Sequence, residues 1–358
     1  MRVGFLGAGL IATFHSKMIR ASGLDRDGTV VRAGVYDPDH ERLQTFAAAS
    51  GHIACASEDE VLAGCDAVYV CTWTSEHPRL VRVAAQRGLA VFCEKPLATS
   101  LADAEAMAAD LAAAGVTNQV GLILRRSPAY LWARHLIADE RAGRVMGVVF
   151  RDDQFIPVQG HYASTWRGDV DRAGAGTLLE HSIHDVDMLH ALVGPVVSVS
   201  ARRANFHRIE GIEDVVGLSL EFAGGAVGTL TSIWHDNLAR PSLRRVEVFC
   251  EGRYVLLDGD DWFGPVSWTD TDGTEITLEG DALVAAAADL VGGPANPDEA
   301  FLRAALDHRA AWPDASVAVA AHRVVDAAYR SADARGSSVD VVGATVDVVG
   351  AGRAPTVV

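Results

Sequence analysis

The 358 residues predict an α/β chain with an N-terminal, doubly wound parallel sheet and a C-terminal α+β domain built on a large, open, mostly antiparallel sheet. Three observations carry that prediction. A glycine-rich turn, Gly7-Ala8-Gly9-Leu10-Ile11-Ala12, follows an apolar run at the very start. Strand-like and helix-like patterns alternate through residue 123, as βαβ units do. Beyond residue 124, strand-like runs follow one another with glycine-rich turns between them.

The first half divides as follows. Arg2–Leu6 is a short apolar run that leads through the glycine turn into a helical segment ending at Ala21. Val30–Tyr36 reads as a second strand, and Asp39–Ala49 as a helix stopped near Gly51. Ala67–Thr72 (AVYVCT) is continuously apolar, as expected of a strand buried on both faces. Pro78–Arg87 is the next helix, Leu89–Cys93 the next buried strand, Leu101–Ala114 an alanine-rich helix, and Val120–Leu124 a closing strand. Residues 1–123 form the expected dinucleotide-binding domain and 124–358 the expected substrate and oligomerisation domain. In the second, a helix near Tyr130–Asp139 precedes strands at Val145–Asp152, Val196–Ala204, Val215–Phe222, Ala226–His235 and Val246–Leu257. Helices are expected at Thr177–Leu192, Glu299–Ala310 and Ser316–Ala334. The run VDVVGA occurs at 339–344 and again at 346–351, which predicts one sheet strand and a loose extension.

Composition narrows the function. Hydrophobic residues make up 49% and charged residues 22%, enough apolar material for a packed core without staples. The formal charge of −16 repels phosphate backbones and argues against a nucleic-acid partner. It repels a dinucleotide as well, so phosphate binding must use local backbone donors. Five scattered cysteines without a CxxC pair suit a reducing compartment. The glycines at 4, 7 and 9 break the first apolar run, so it makes a poor signal peptide, and no later run is long enough to span a membrane. A cytoplasmic protein is expected.

Four motifs carry chemistry. The first is the GxGxxA turn, a Rossmann fingerprint. Gly7 permits the tight turn, Gly9 lets backbone approach a pyrophosphate, and Ala12 allows close helix–sheet packing. Leu10 and Ile11 complete that turn. The second is Asp37 after the second strand. A carboxylate there bonds ribose hydroxyls and repels a 2′-phosphate, so NAD is expected rather than NADP. Arg42 nearby is a countervailing charge, and a plain Asp-Pro turn is the alternative. The third is Glu94-Lys95-Pro96 at a strand end, where ligands bind in doubly wound sheets. Lys95 is expected to point into the crevice, with Glu94 holding its ammonium or a neighbouring group. Thr72, Trp73 and His77, after the preceding strand, complete the candidate cofactor set. The fourth is Glu180–Asp187 (EHSIHDVD). On one helix, Glu180 and His184 are i,i+4 neighbours and Asp187 follows on the same face. A carboxylate beside His184 would fix its tautomer and raise its pKa, as an acid/base pair requires. A metal set of Glu180, His184 and Asp187 is the alternative, and no metal is the expectation.

Together these motifs resemble the Gfo/Idh/MocA oxidoreductases, the glucose–fructose oxidoreductase and inositol dehydrogenase group. The resemblance runs from GAGLIA through DAVYVCTWTSEHPRLVRVAAQRG and VFCEKPLATS to AGTLLEHSIHDVDMLHALVG and VVDAAYRSA. It implies catalytic roles for Lys95 and His184, substrate contact by Asp187, a cis Lys95–Pro96 peptide, and a second sheet that mediates oligomers. Two positions depart from the family. Glu180 replaces the usual Asp, and Trp73 stands where a proline often follows Thr72.

No motif specifies the substrate. The segment Gln154–Arg167 (QFIPVQGHYASTWR) mixes aromatic and polar groups, which suits a polyol. Tyr162, Trp166 and Arg167 are candidates there, with Arg125; the two arginines could instead hold a carboxylate or phosphate. The expected function is NAD-dependent hydride transfer at a sugar, cyclitol or glycoside hydroxyl. The alternatives are an NAD-dependent glycosidase that oxidises transiently, and a non-catalytic dinucleotide-binding regulator. A homodimer or homotetramer is the expected assembly.

Overall fold

The computed structural model describes residues 1–160, 163–237 and 242–343. The first sheet comprises β1 (Arg2–Leu6), β2 (Val31–Tyr36), β3 (Ile53–Ala54), β4 (Ala67–Val70), β5 (Ala90–Cys93) and β6 (Asn118–Val120). All pairs are parallel, in the order β3-β2-β1-β4-β5-β6. The winding reverses between β1 and β4, which opens a crevice beyond their C-terminal ends. The connecting helices are α1 (Leu10–Ser22), α2 (His40–Ser50), α3 (Glu58–Gly64), α4 (His77–Gln86) and α5 (Leu101–Ala114). Side-chain caps fix several starts: Asp39 accepts from Arg42 N, Ser57 from Glu60 N, and Ser100 from Asp103 N. The elements β3 and α3 were not expected. They are two and seven residues long, too short for a period to show, although Ser57 accepts from Glu60 N and the Glu60 carboxylate accepts from Ala56 N, a variant of the capping box that marks the start of α3. The expected strand at 120–124 is instead Asn118–Val120 followed by a single turn at Ile123–Arg126. The chain bends at Gly121, where a Cβ would lie 2.5 Å from a Glu94 oxygen.

The second region continues through α6 (Pro128–Ala138), β7 (Val145–Phe155), the short turns α7 (Val170–Ala173) and α8 (Thr177–Glu180), and α9 (Ile183–Leu192). The strands β8 (Val196–Ala204), β9 (Val215–Phe222), β10 (Val227–His235), β11 (Leu243–Cys250), β12 (Arg253–Asp260), β13 (Gly264–Asp270) and β14 (Glu275–Leu278) follow. The remaining elements are α10 (Gly280–Ala287), α11 (Pro297–Leu306), α12 (Ala315–Asp333) and β15 (Val339–Asp340). Nine strands form one sheet in the order β14-β13-β12-β11-β7-β10-β9-β8-β15. The central β7–β10 pair is parallel and the other neighbours are antiparallel. The run Val246–Leu257, expected as one strand, is a hairpin. It turns at Glu251-Gly252, where a Gly252 Cβ would sit 2.2 Å from the Arg141 carbonyl oxygen.

One face of this sheet packs on α6, α9 and α12. The other carries Met146, Val149, Val227 and Phe249, each between 40% and 60% exposed. Chain beyond residue 124 is not confined to the second sheet. Phe301, Leu302 and Ala304 of α11 join the core of Phe5, Tyr69 and Phe92, and Ala315, Ala318 and Val319 of α12 pack with Leu97, Ala104 and Met107. The first VDVVGA copy supplies β15, and the second lies outside the described residues. No helix among the described residues is long and apolar enough to cross a membrane.

Candidate active site

The glycine turn ends β1. Gly7 has φ +91°, and a Cβ there would lie 2.4 Å from the Cys71 carbonyl oxygen, so only glycine fits. Gly9 opens α1 without a side-chain cap, and nothing lies within 4 Å of its Cβ position. Uncapped N–H groups at a helix start with open space beside them fit a pyrophosphate. Ala12 is fully buried under the helix, while Leu10 is exposed and Ile11 borders solvent. Asp37 at the end of β2 is pinned to this turn: one oxygen accepts from Ala8 N at 2.9 Å, the other from Asp39 N at 2.9 Å, with Arg42 at 3.4 Å.

The ends of β4 and β5 form the opposite wall. His77 is buried. Its Nδ1 donates to the Pro96 carbonyl at 3.0 Å, and its Nε2 lies 3.4 Å from the Thr72 carbonyl. It therefore ties two strand-end turns together rather than facing the crevice. Trp73 carries the Arg172 guanidinium over its ring at 3.9 Å. The Lys95–Pro96 peptide is cis. Glu94 does not hold the Lys95 ammonium. It turns inward, with Oε1 on His15 Nε2 at 2.8 Å and Oε2 accepting from Lys95 N at 3.2 Å.

The Lys95 ammonium instead reaches across to the Glu180 carbonyl, 2.5 Å from Nζ. That carbonyl is free because the expected continuous helix Thr177–Leu192 breaks at His181-Ser182: His184 N bonds the His181 carbonyl rather than that of Glu180. Tertiary anchors impose the break. Glu213 accepts from Gly176 N and Leu178 N, and Ser182 Oγ bonds Asp152 at 3.0 Å. A Cβ on Gly176 would meet the Glu213 carbonyl at 1.8 Å, so α8 seats only with glycine there.

The break also overturns the expected Glu180–His184 pair. The Glu180 side chain is buried on Arg167 at 2.6 Å. Burial opposes its charge, but Arg167 and Lys95 hold the carboxylate below its ordinary pKa. His184 has a buried Nδ1 with no hydrogen-bond partner among the described residues. Its pKa is pushed well down, chiefly by burial and then by Lys95 and Arg244, opposite to the rise expected from a carboxylate neighbour. Burial likewise lowers the pKa of Lys95.

Asp187 and Arg125, both expected to face substrate, are locked together. Arg125 Nε and Nη2 donate to the buried Asp187 carboxylate at 2.7–2.9 Å. Each therefore satisfies the other. Glu180, His184 and Asp187 do not converge on a point, and among the described residues no group of three or more His, Cys, Asp or Glu side chains is placed to hold a metal ion. Trp166 stacks under Arg167 at 4.7 Å. Tyr162 lies outside the described residues.

Several residues of this region escaped the sequence reading. Arg244 of β11 bonds Asp185 at 2.6 Å and reaches Asp261 and His181, while His181 Nε2 lies 2.9 Å from Asp152. Burial opposes the Arg244 charge, yet Asp152, Asp185 and Asp261 hold it firmly. A signal existed: Arg244 is in phase with the buried Val246, Val248 and Cys250, and a charge on the core face of a strand demands partners. His15 likewise sits in the buried stripe Ala12, His15, Ser16, Ile19 of α1.

A glycine cradle at a parallel-sheet switch point, with Lys95 at a neighbouring strand end, fits an NAD-binding oxidoreductase of Rossmann type. Residues 1–122 match the oxidoreductase family with an NAD-binding Rossmann fold, and residues 130–255 match the GFO/IDH/MocA C-terminal domain. The chain belongs to the GFO/IDH/MocA oxidoreductase family. It is 32% identical over 232 residues to the 1,5-anhydro-D-fructose reductase of Ensifer adhaerens, covering 63% of this chain and 67% of that protein. It is 27% identical over 271 residues to the myo-inositol 2-dehydrogenase of Thermotoga maritima, covering 72% and 75%. Its fold is similar to that of the WlbA dehydrogenase from Bordetella pertussis in complex with NADH and UDP-GlcNAcA, with TM-score 0.80, 25% identity and coverage of 95% and 97%.

Proposed function

We propose that the chain oxidises a secondary hydroxyl of a sugar, cyclitol or glycoside, or reduces the matching ketone. The observation that carries this is Lys95 Nζ anchored on the Glu180 carbonyl, with the neutral His184, whose buried Nδ1 has no hydrogen-bond partner among the described residues, close enough to feel its charge. NAD, when bound, accepts or returns the hydride. Gly7, Gly9 and the start of α1 hold its pyrophosphate, and Asp37 its adenosine ribose. Thr72 and Trp73 line the crevice towards the nicotinamide end. A ring nitrogen of His184 takes the hydroxyl proton, and the Lys95 ammonium stabilises the developing alkoxide. Arg167 and Trp166 flank that point, and Glu180 sets both Arg167 and, through its backbone, Lys95. The relatives named above act on sugar and cyclitol substrates, which supports the substrate class.

The test is a cofactor-reduction screen over polyols, aldoses and glycosides, with mass spectrometry for glycoside cleavage. Reduction of NAD⁺ by a polyol or aldose supports the proposal. Cleavage without net reduction points to the glycosidase, and NAD binding without turnover across the panel points to the regulator.

The carboxylate of Asp37 at the ribose position predicts tighter binding of NAD(H) than NADP(H). Asp37→Ala should weaken both, because Ala8 N loses its acceptor, and should shrink the ratio between them. Equal affinity of the unmodified protein for both cofactors in a fluorescence titration contradicts this.

We further propose that the exposed face of the nine-stranded sheet pairs with a second copy. A sheet face bearing Met146, Val149, Val227 and Phe249 leaves apolar area in water that self-association removes. Light scattering at micromolar concentration should return at least twice the chain mass, and a monomer would refute the assembly.

A further inference from the structure

Beneath the crevice lies a chain of three buried ionisable groups from distant parts of the sequence. His15 is fully buried on α1, and Asp298 is fully buried in the first turn of α11. His15 Nδ1 lies 2.7 Å from Asp298 Oδ1, and His15 Nε2 lies 2.8 Å from Glu94 Oε1. The second Glu94 oxygen accepts from the backbone N–H of Lys95. Ionised carboxylates only accept hydrogen bonds, so two of them on one ring require both ring nitrogens to donate. The ring that satisfies both is an imidazolium.

We infer that His15 is a positioning residue for Lys95: clamped between Asp298 and Glu94, it fixes the Glu94 carboxylate that in turn orients the Lys95 backbone at the end of β5. This rests on the reading of Lys95 as the alkoxide-stabilising group. The surroundings agree with a cation here. Burial opposes protonation, but Asp298 and Glu94 together lift the His15 pKa to about 10. Glu94, despite its burial, is held below the usual carboxylate value by His15 and Lys95. Tyr69 packs against the ring at 5.4 Å and Phe92 meets it edge-on at 4.7 Å, so water does not replace the partners. Asp298 is itself oriented. Asn296 caps its helix through Asp298 N at 3.0 Å and ties the helix to α1 through the Met18 carbonyl at 2.8 Å. The clamp thus joins three elements of the site: the helix of the glycine turn, the strand end that bears Lys95, and a helix contributed almost three hundred residues later.

Two measurements test it separately. In nitrogen-15 ring correlation spectra of the unmodified protein at pH 8.5, one histidine should have both nitrogens protonated. Its signal should vanish in His15→Gln and shift in the milder Asp298→Asn. A spectrum of neutral rings alone overturns the clamp, and this readout needs neither substrate nor turnover, so it stands apart from the proposed reaction. For the positioning role, His15→Gln should lower kcat about tenfold with NAD⁺ affinity changed less than threefold. In a Glu94→Gln background the same substitution should add less than twofold, because its effect runs through Glu94. Equal loss in both backgrounds, or unchanged kcat in a folded His15→Gln protein, refutes positioning. If His15→Gln does not fold, Asp298→Asn replaces it in the same cycle with the same criteria.

Discussion

Replacing His184 by Ala should lower turnover by about 10²–10⁴, the usual worth of a positioned general base. The ring lies in the first turn of α9, beyond the first sheet, so NAD⁺ affinity should change little. The pH profile should identify the group. A base works unprotonated, and burial with the nearby Lys95 and Arg244 charges holds the His184 pKa well below 6.5. Activity should therefore be full above that depressed pKa and fall as pH drops through it. His184→Ala should remove this acid limb as well as the rate. Glu180→Gln should cost less. Its side chain serves Arg167, and the carbonyl that holds Lys95 belongs to the backbone, which the substitution keeps. Full turnover of His184→Ala, or loss of turnover of the unmodified protein with EDTA, would sink the assignment; the second result would point to metal ligation by this segment.

The architecture was legible because buried parallel strands leave continuous apolar runs. AVYVCT and LAVFC mark β4 and β5 without any partner being known. The glycine turn, Asp37 and Lys95 were legible because each sits at a strand end, where the doubly wound fold dictates what the backbone must do. The helix break at His181-Ser182 was not. The pattern from Thr177 to Leu192 keeps helical phase, and the break comes from Asp152 of β7 and from Glu213 in the loop before β9. The same limit hid the pairing of Arg125 with Asp187 and of His15 with Asp298, separated by 62 and 283 positions. A buried charge in the pattern announces that a partner exists. It does not say which one, and so Arg125 and Asp187 read as groups awaiting substrate when each is already satisfied.

Lys95→Ala should cost about as much as loss of the base, 10²–10⁴ in turnover, or roughly 3–5 kcal/mol of transition-state stabilisation. The ammonium is held at one point by the Glu180 carbonyl, and it acts on charge that develops only as the hydroxyl proton leaves. The loss should therefore fall on kcat and kcat/KM alike rather than on substrate binding. Lys95→Arg should not restore the rate, because a planar guanidinium cannot place a compact charge 2.5 Å from that carbonyl. The charged form is the active one. Burial lowers the Lys95 pKa below 10.5, so activity should decline with rising pH at a value under that limit. In Lys95→Ala this alkaline limb should disappear while the acid limb of His184 persists. A Lys95→Ala protein that keeps more than a tenth of the turnover, or that retains the alkaline limb unchanged, would show that the ammonium is only a strand-end anchor.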